Sequence, residues 1–137
     1  MNEIELLKYE DIDAYSTFIV KVFDYDINEE AIKECIDKNN ILVIKYGEEI
    51  IASLTYEIRK DYIKNKKYYF ISYFGVLKEY RRRGLGTKLF NYLKEEVEKN
   101  NIDYIELTSG NHRKAAHYFY RSRSFKIKDT TVFIKMY

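Results

Sequence analysis

Between Tyr80 and Phe90 the chain reads YRRRGLGTKLF, three arginines and two glycines that run without a break into a helical pattern. Residues without a Cβ let an anion approach backbone N–H groups closely, and the first N–H groups of a helix have no partner inside it. The helix dipole adds positive potential at the same point, so Gly84, Leu85, Gly86 and Thr87 form an anion site that suits a pyrophosphate. Arg81, Arg82 and Arg83 add charge around this loop and reach toward phosphate at its rim. The spacing is neither GxxxxGKS/T nor a dinucleotide fingerprint, because GLG lacks the third glycine, and this disfavours nucleotide triphosphate chemistry. Taken alone, RxxGxG is equally well a turn beside a solvated arginine cluster.

These residues must be positioned by the elements around them. IELLKY opens as a short strand, and EDIDAYSTFIVKVF spaces Ile12, Tyr15, Phe18 and Val22 as one face of a helix. DYDIN is a loop in which Asn28 is placed to cap a second short helix, EEAIKECIDK, with Ala31, Ile32, Cys35 and Ile36 as its apolar stripe. The period then falls to two. ILVIKY, a GEE turn and IIASLTYEIR form an antiparallel hairpin, and KDYIKNKK is a polar connection. YYFISYFGV is nearly apolar on both faces, as a central covered strand is. From Leu85 a helix repeats Leu89, Leu93 and Val97 on one side, with Lys88, Asn91, Lys94, Glu95 and Glu98 on the other. IDYIELTS is a further strand, HRKAAHYFYRS a further helix, and FKIKDTTVFIKMY two terminal strands joined at DTT. The expectation is one domain over residues 1–137, of α/β (α+β mixed) class, with a mostly antiparallel central sheet flanked by helices. A single strand–helix–strand crossover should join YYFISYFGV to IDYIELTS.

Composition narrows the function. With 46% hydrophobic and 34% charged residues the chain has the make-up of an ordinary soluble globular protein. Lysine plus arginine total 24 against 22 for aspartate plus glutamate, so attraction for anions must be local and no nucleic-acid partner is expected. The rival reading, Arg81, Arg82, Arg83, Arg113, Arg121 and Arg123 interleaved with stacking tyrosines, is opposed by the same balance. Cys35 stands alone and cannot form an internal disulfide, and MNEIELLKYE lacks the basic start and apolar stretch of a secretory signal, which implies a cytoplasmic setting. The apolar run around YYFISYFGVL is about ten residues, against roughly twenty for a bilayer span, so no membrane partner is expected.

At the arginine–glycine loop the sequence resembles the GNAT (GCN5-related N-acetyltransferase) superfamily, in which a strand is followed by R/Q-x-x-G-x-G/A at a helix start. Here that pattern is Arg81-Arg82-Arg83-Gly84-Leu85-Gly86, preceded by YFGVLKEY. TSGNHRKAAHYFYRSRSF is similar to the superfamily's second diagnostic stretch, and the order of elements matches along the chain. The resemblance implies the GNAT acyl-CoA N-acyltransferase fold and acetyl-CoA as cosubstrate, without a metal. Amides from Arg82 through Thr87 would hold the CoA pyrophosphate, and the strand end from Phe74 to Val76 would pair with the pantetheine arm as an added strand. Gly75 there fits a bulge or an ordinary packing glycine. Asn111 resembles an asparagine that touches the pantetheine or ribose end, and it is equally an N-cap for the last helix.

Acetyl transfer to an amine requires a neutral nitrogen, a polarised thioester carbonyl and a proton for the leaving thiolate. The resemblance gives the last role to Tyr120, on one stripe with Ala116, and a core tyrosine is the competing account. His112 and His117 titrate near neutrality, but His117 falls off that stripe and reads as solvated or structural. Many related enzymes carry a carboxylate base on the strand before the loop; here Ser72 and Tyr73 occupy the matching positions. Glu106 acting through water is one candidate, although a glutamate at the sheet surface is the favoured account of it, and water relays alone are the other; Glu57, Asp24 or Asp26 are candidates for holding a cationic substrate. Ser124 stands where the family has glycine, which demands either an easier backbone angle or strain. The function implied is acetyl transfer to a primary amine of a small molecule. The alternatives are a protein N-terminal or lysine acetyltransferase and a CoA-binding domain without turnover. The resemblance also admits a homodimer, although no interface is legible.

Overall fold

The computed structural model describes residues 3–137, which form two compact units, one ending at Leu107 and one running from Thr108 to Tyr137. In the first unit β1 (Ile4–Leu6) leads through a short 3-10 turn into α1 (Ile12–Phe23) and α2 (Glu29–Asp37). β2 (Ile41–Tyr46), β3 (Glu49–Asp61) and β4 (Lys66–Val76) follow, then α3 (Leu85–Lys99) and β5 (Tyr104–Leu107). The strands lie in the order β1-β2-β3-β4-β5, antiparallel except for the parallel β4–β5 pair that α3 connects. This is the mixed fold expected, with the expected single crossover. Helix α2 begins where Asn28 predicts: its side-chain Oδ1 accepts the Ala31 N–H at 3.0 Å.

The core is centred on β2 and β3. Leu42, Val43, Ile44, Ile51, Ala52 and Leu54 are all 0% exposed, and burial of each larger side chain stabilises by roughly 1.5–3 kcal/mol. The sequence places the fully covered strand at YYFISYFGV instead. In β4 only Tyr69, Ile71 and Gly75 are buried; of its other aromatic residues Tyr68, Phe70 and Phe74 are half-buried and Tyr73 is exposed. Leu85, Leu89 and Leu93 of α3 are buried as their spacing requires, and Tyr69 ties that helix to β4 by donating its hydroxyl to the Glu96 carbonyl at 3.3 Å.

Two expectations are corrected. KDYIKNKK is half strand rather than all connection, because β3 and β4 pair out to Asp61↔Lys66. The turn is confined to residues 62–65: the Asp61 carboxylate accepts the Ile63 and Lys64 N–H groups at 3.1 Å, and Asn65 takes a left-handed φ of 52°. The second correction lies in the other unit, where α4 (Lys114–Ser122) is present but FKIKDTTVFIKMY forms no strands. Alternation gives a segment two faces without giving its backbone a ladder. A turn-type bond from Thr130 N–H to the Lys128 carbonyl at 2.9 Å stands where a hairpin would, and Phe133 is 91% exposed.

Candidate functional site

At the end of β4 the pairing with β3 slips. Thr55 pairs with Ser72 and Ser53 with Gly75, so Tyr73 and Phe74 together oppose Leu54. Tyr73 absorbs the extra residue with φ 53°, a left-handed angle that strains an aromatic side chain. The bulge sends the two rings to different helices: Tyr73 packs edge-on against Phe23 of α1 at 5.3 Å, Phe74 against Phe90 of α3 at 4.9 Å. Both accounts of Gly75 have a basis, since the bulge lies beside it. What Gly75 itself provides is space, because a Cβ there would sit 2.7 Å from Val22 Cγ1 and 3.0 Å from Phe23 Cζ. β5 accompanies β4 only to Ile71↔Leu107, so the sheet places no strand beside residues 72–76 on that side.

From this strand end the chain passes through a 3-10 turn, Lys78–Tyr80, into the arginine–glycine loop. Arg82 and Gly84 adopt φ of 64° and 79°, left-handed angles on either side of Arg83 that turn the chain sharply just before α3. Gly84 is the N-cap of α3 and supplies no side-chain bond to the first turn, which also contains no acidic residue. The helix start therefore carries positive potential that no side chain of its own neutralises there. A Cβ on Gly84 would meet nothing within 4 Å, so the loop is open on that side. These features fit a diphosphate. Gly86 and Leu85 are buried beneath the loop, and Thr87 is half-buried.

The three arginines divide their work in a way the sequence does not disclose. Arg81 Nε donates to the Val76 carbonyl at 3.2 Å, strapping the loop to the strand end. Arg83 lies 5.0 Å over the Tyr80 ring, held there by cation–π attraction, while Arg82 is exposed on its strained backbone. RRR shows charge but not direction, so the strap on Val76 has no sequence signal.

Among the other candidates, Glu57 is occupied, its Oε1 bonded to both Arg59 Nε (2.7 Å) and a terminal guanidinium nitrogen (2.6 Å). Glu106 is half-buried on β5, in register with Phe70. Asp26 lies in an open cleft of about 180 Å³ on the α1–α2 side, whose lining includes Tyr73 from the bulge.

The second unit carries Asn111 and Tyr120. Asn111 is exposed and is not the cap of α4; the N-cap is Arg113, whose N–H bonds the Gly110 carbonyl at 3.0 Å. The preceding loop closes on its own main chain, which leaves the asparagine side chain without that role. Tyr120 is buried, 9% exposed, and burial raises its hydroxyl pKa above the ordinary tyrosine value, opposed by the charge of Arg113. Its position is fixed by the end of α4. Phe125 N–H bonds the Tyr120 carbonyl and Ser124 N–H the Arg121 carbonyl, both at 3.1 Å, and the Phe125 ring lies 5.9 Å from that of Tyr120. Ser124 takes φ 69° in this motif, so of the two outcomes open to a serine it shows the strained one. Ser109 Oγ is buried without a hydrogen-bond partner, a polar atom that no sequence pattern marks.

Comparison with known proteins places these features in context. A family model described as the acetyltransferase (GNAT) family matches residues 5–125. N-alpha-acetyltransferase 50 of Danio rerio is 28% identical over 110 residues, covering 80% of this chain and 65% of that protein. S-alkylcysteine N-acetyltransferase of Bacillus subtilis is 24% identical over 102 residues, covering 72% of this chain and 57% of that one. The chain thus spans less than two thirds of either relative. Among solved structures, the aminoglycoside antibiotic 6'-N-acetyltransferase of Acinetobacter baumannii superposes with a TM-score of 0.83 at 16% identity, covering 100% of this chain and 99% of its own, and shares the fold.

Proposed function

The chain belongs to the GNAT acetyltransferase family, and on that premise we propose that it transfers an acetyl group from acetyl-CoA to a primary amine of a small molecule. The observation that carries the reading is the uncapped start of α3 beneath two left-handed residues, joined by Arg81 to a strand end that the sheet leaves without a further strand. Backbone N–H groups from Arg82 through Thr87 bind the diphosphate, with Arg82 and Arg83 at its rim. The β4 end at Phe74 and Val76 orients the pantetheine arm. When bound, acetyl-CoA supplies the thioester, whose acyl carbon exchanges its C–S bond for a C–N bond to the amine and releases the thiol. Tyr120 holds the proton that the departing sulfur takes up; a phenol is protonated at neutral pH, and burial raises its pKa further. The proton lost by the amine passes to water, directly or through Glu106. Asn111 contacts the CoA arm. A peptide N-terminus is the second reading, favoured by the zebrafish relative's described activity.

Thermal denaturation with and without acetyl-CoA tests the cradle. Binding to the native state should raise the melting temperature by mass action. Gly84→Asp should abolish the rise, because its carboxylate repels a diphosphate, while Gly84→Asn, which bears the same backbone strain at φ 79° without the charge and whose Cβ likewise meets no neighbour, should retain part of it. An undiminished shift in Gly84→Asp would move the cofactor elsewhere.

A further inference from the structure

The β3–β4 pair outruns the strands beside it. β2 pairs with β3 only as far as Thr55, and β5 joins β4 only from Tyr68, so the end from Glu57 to Lys67 stands out from the sheet as a two-stranded ribbon. Its turn has a fixed shape, because the Asp61 carboxylate accepts the Ile63 and Lys64 N–H groups. That turn holds two large apolar side chains in water: Tyr62 is 81% exposed and Ile63 95%. Ile58, farther down the ribbon, is exposed as well.

Positive charge gathers at the same place. Residues 60–67 contain four lysines against one aspartate, a larger excess than the two of the whole chain. Among the described residues none of these four lysines has an ion pair, and the remaining cation of the ribbon, Arg59, is already paired with Glu57. The Asp61 and Asp103 carboxylates are committed to backbone N–H groups, Asp103 to that of Lys67 at 2.9 Å. Lys60 and Lys67 are direct partners across the ladder, where like charges repel and an anion between them relieves the repulsion. Alternation puts Ile58 on the same face, and Lys60 Nζ lies 5.3 Å from the centre of the Tyr62 ring.

We infer that this ribbon docks on the surface of an anionic lipid bilayer. Lys60, Lys64, Lys66 and Lys67 meet the headgroups, while Ile63 and Tyr62 enter the boundary between headgroups and acyl chains. The aliphatic side chains select this partner over a nucleic acid. Tyrosine can stack on a base, but Ile58 and Ile63 cannot, and a phosphate backbone offers them no apolar medium. Among the described residues no helix is long and apolar enough to cross a membrane, so the contact is with the surface alone. The arginine–glycine loop leaves β4 at its other end, eleven residues or about 35 Å of extended chain away, and stays uncovered. Such docking goes beyond acetyl transfer and requires none of it.

Vesicle flotation tests the surface. Wild-type protein should float with vesicles of phosphatidylcholine mixed with phosphatidylserine and not with phosphatidylcholine alone, and high salt should release it. Lys60→Gln combined with Lys67→Gln should weaken binding about twentyfold, at about fivefold for each cation near an anionic surface. Ile63→Ser should weaken it about fivefold through loss of the inserted side chain. All three residues lie outside the core, so these variants leave it intact. The chain contains no tryptophan, and Ile63→Trp therefore supplies a single reporter whose emission should shift to the blue on the mixed vesicles. Absence of flotation, equal flotation with phosphatidylcholine alone, wild-type binding by either weakened variant, or unchanged emission of the tryptophan variant would each overturn the assignment. Tighter retention on single-stranded RNA than on the mixed vesicles would overturn it too, and would give the ribbon to a nucleic acid.

Discussion

Tyr120 illustrates how much a single side chain is asked to do. Its ring contacts Phe125, its carbonyl closes the end of α4, and its buried hydroxyl carries a proton at neutral pH. The first two contributions survive loss of the hydroxyl and the third does not. In Tyr120→Phe, turnover should therefore fall at least about a hundredfold while the acetyl-CoA thermal shift is retained. Steady-state kinetics beside denaturation curves check this, and unchanged turnover would leave Tyr120 a packing residue. At this scale the sequence was informative where function depends on backbone. Gly84 at φ 79° does what a glycine before a helix announces. Side-chain direction was not legible: the Arg81 strap, the Arg83–Tyr80 stack and the Glu57–Arg59 pair depend on rotamers and neighbours that no spacing rule specifies.

Elements were legible in proportion to how locally they are determined. α2 starts at the residue its cap predicts, and α3 follows its leucine stripe. The β3–β4 hairpin was underestimated, because lysines at its outer end mask an alternation that cross-strand pairing continues to Asp61↔Lys66. The terminal strands were overestimated for the opposite reason: a two-faced pattern is local, whereas a partner strand is not. The close of α4 gives a test at this level. A helix end of this kind favours glycine at the left-handed position that Ser124 occupies. Ser124→Gly should stabilise the protein by about 0.5–1 kcal/mol, after allowance for the greater freedom of glycine in the unfolded chain. Urea unfolding measures it, and a decrease in stability would show that the serine side chain compensates its backbone.

For the whole molecule, the mostly antiparallel pairing and the single crossover were legible in the sequence, while the cleft on the α1–α2 side was not, because its lining is drawn from α1, α2, their loop and β4. The many tyrosines have a collective effect on pH response. Burial raises the hydroxyl pKa of Tyr15, Tyr69 and Tyr92 above the ordinary 10.0, and that of Tyr56 to about 12. The unfolded chain ionises first, so this contribution to stability is complete below pH 10.0 and is lost as pH rises through about 12. Denaturation midpoints across that range should fall, and Tyr56→Phe should flatten the decline; a parallel decline in the variant would exclude Tyr56 as its source. The unequal support of β4 has a further consequence. Within the sheet, residues 68–71 have a strand on both sides and residues 72–76 have only β3, while Tyr73, Phe74 and Gly75 are held from the faces by Phe23 and Phe90. An extended guest laid alongside that end would displace no strand of the sheet, so its arrival and departure would leave the packed centre closed.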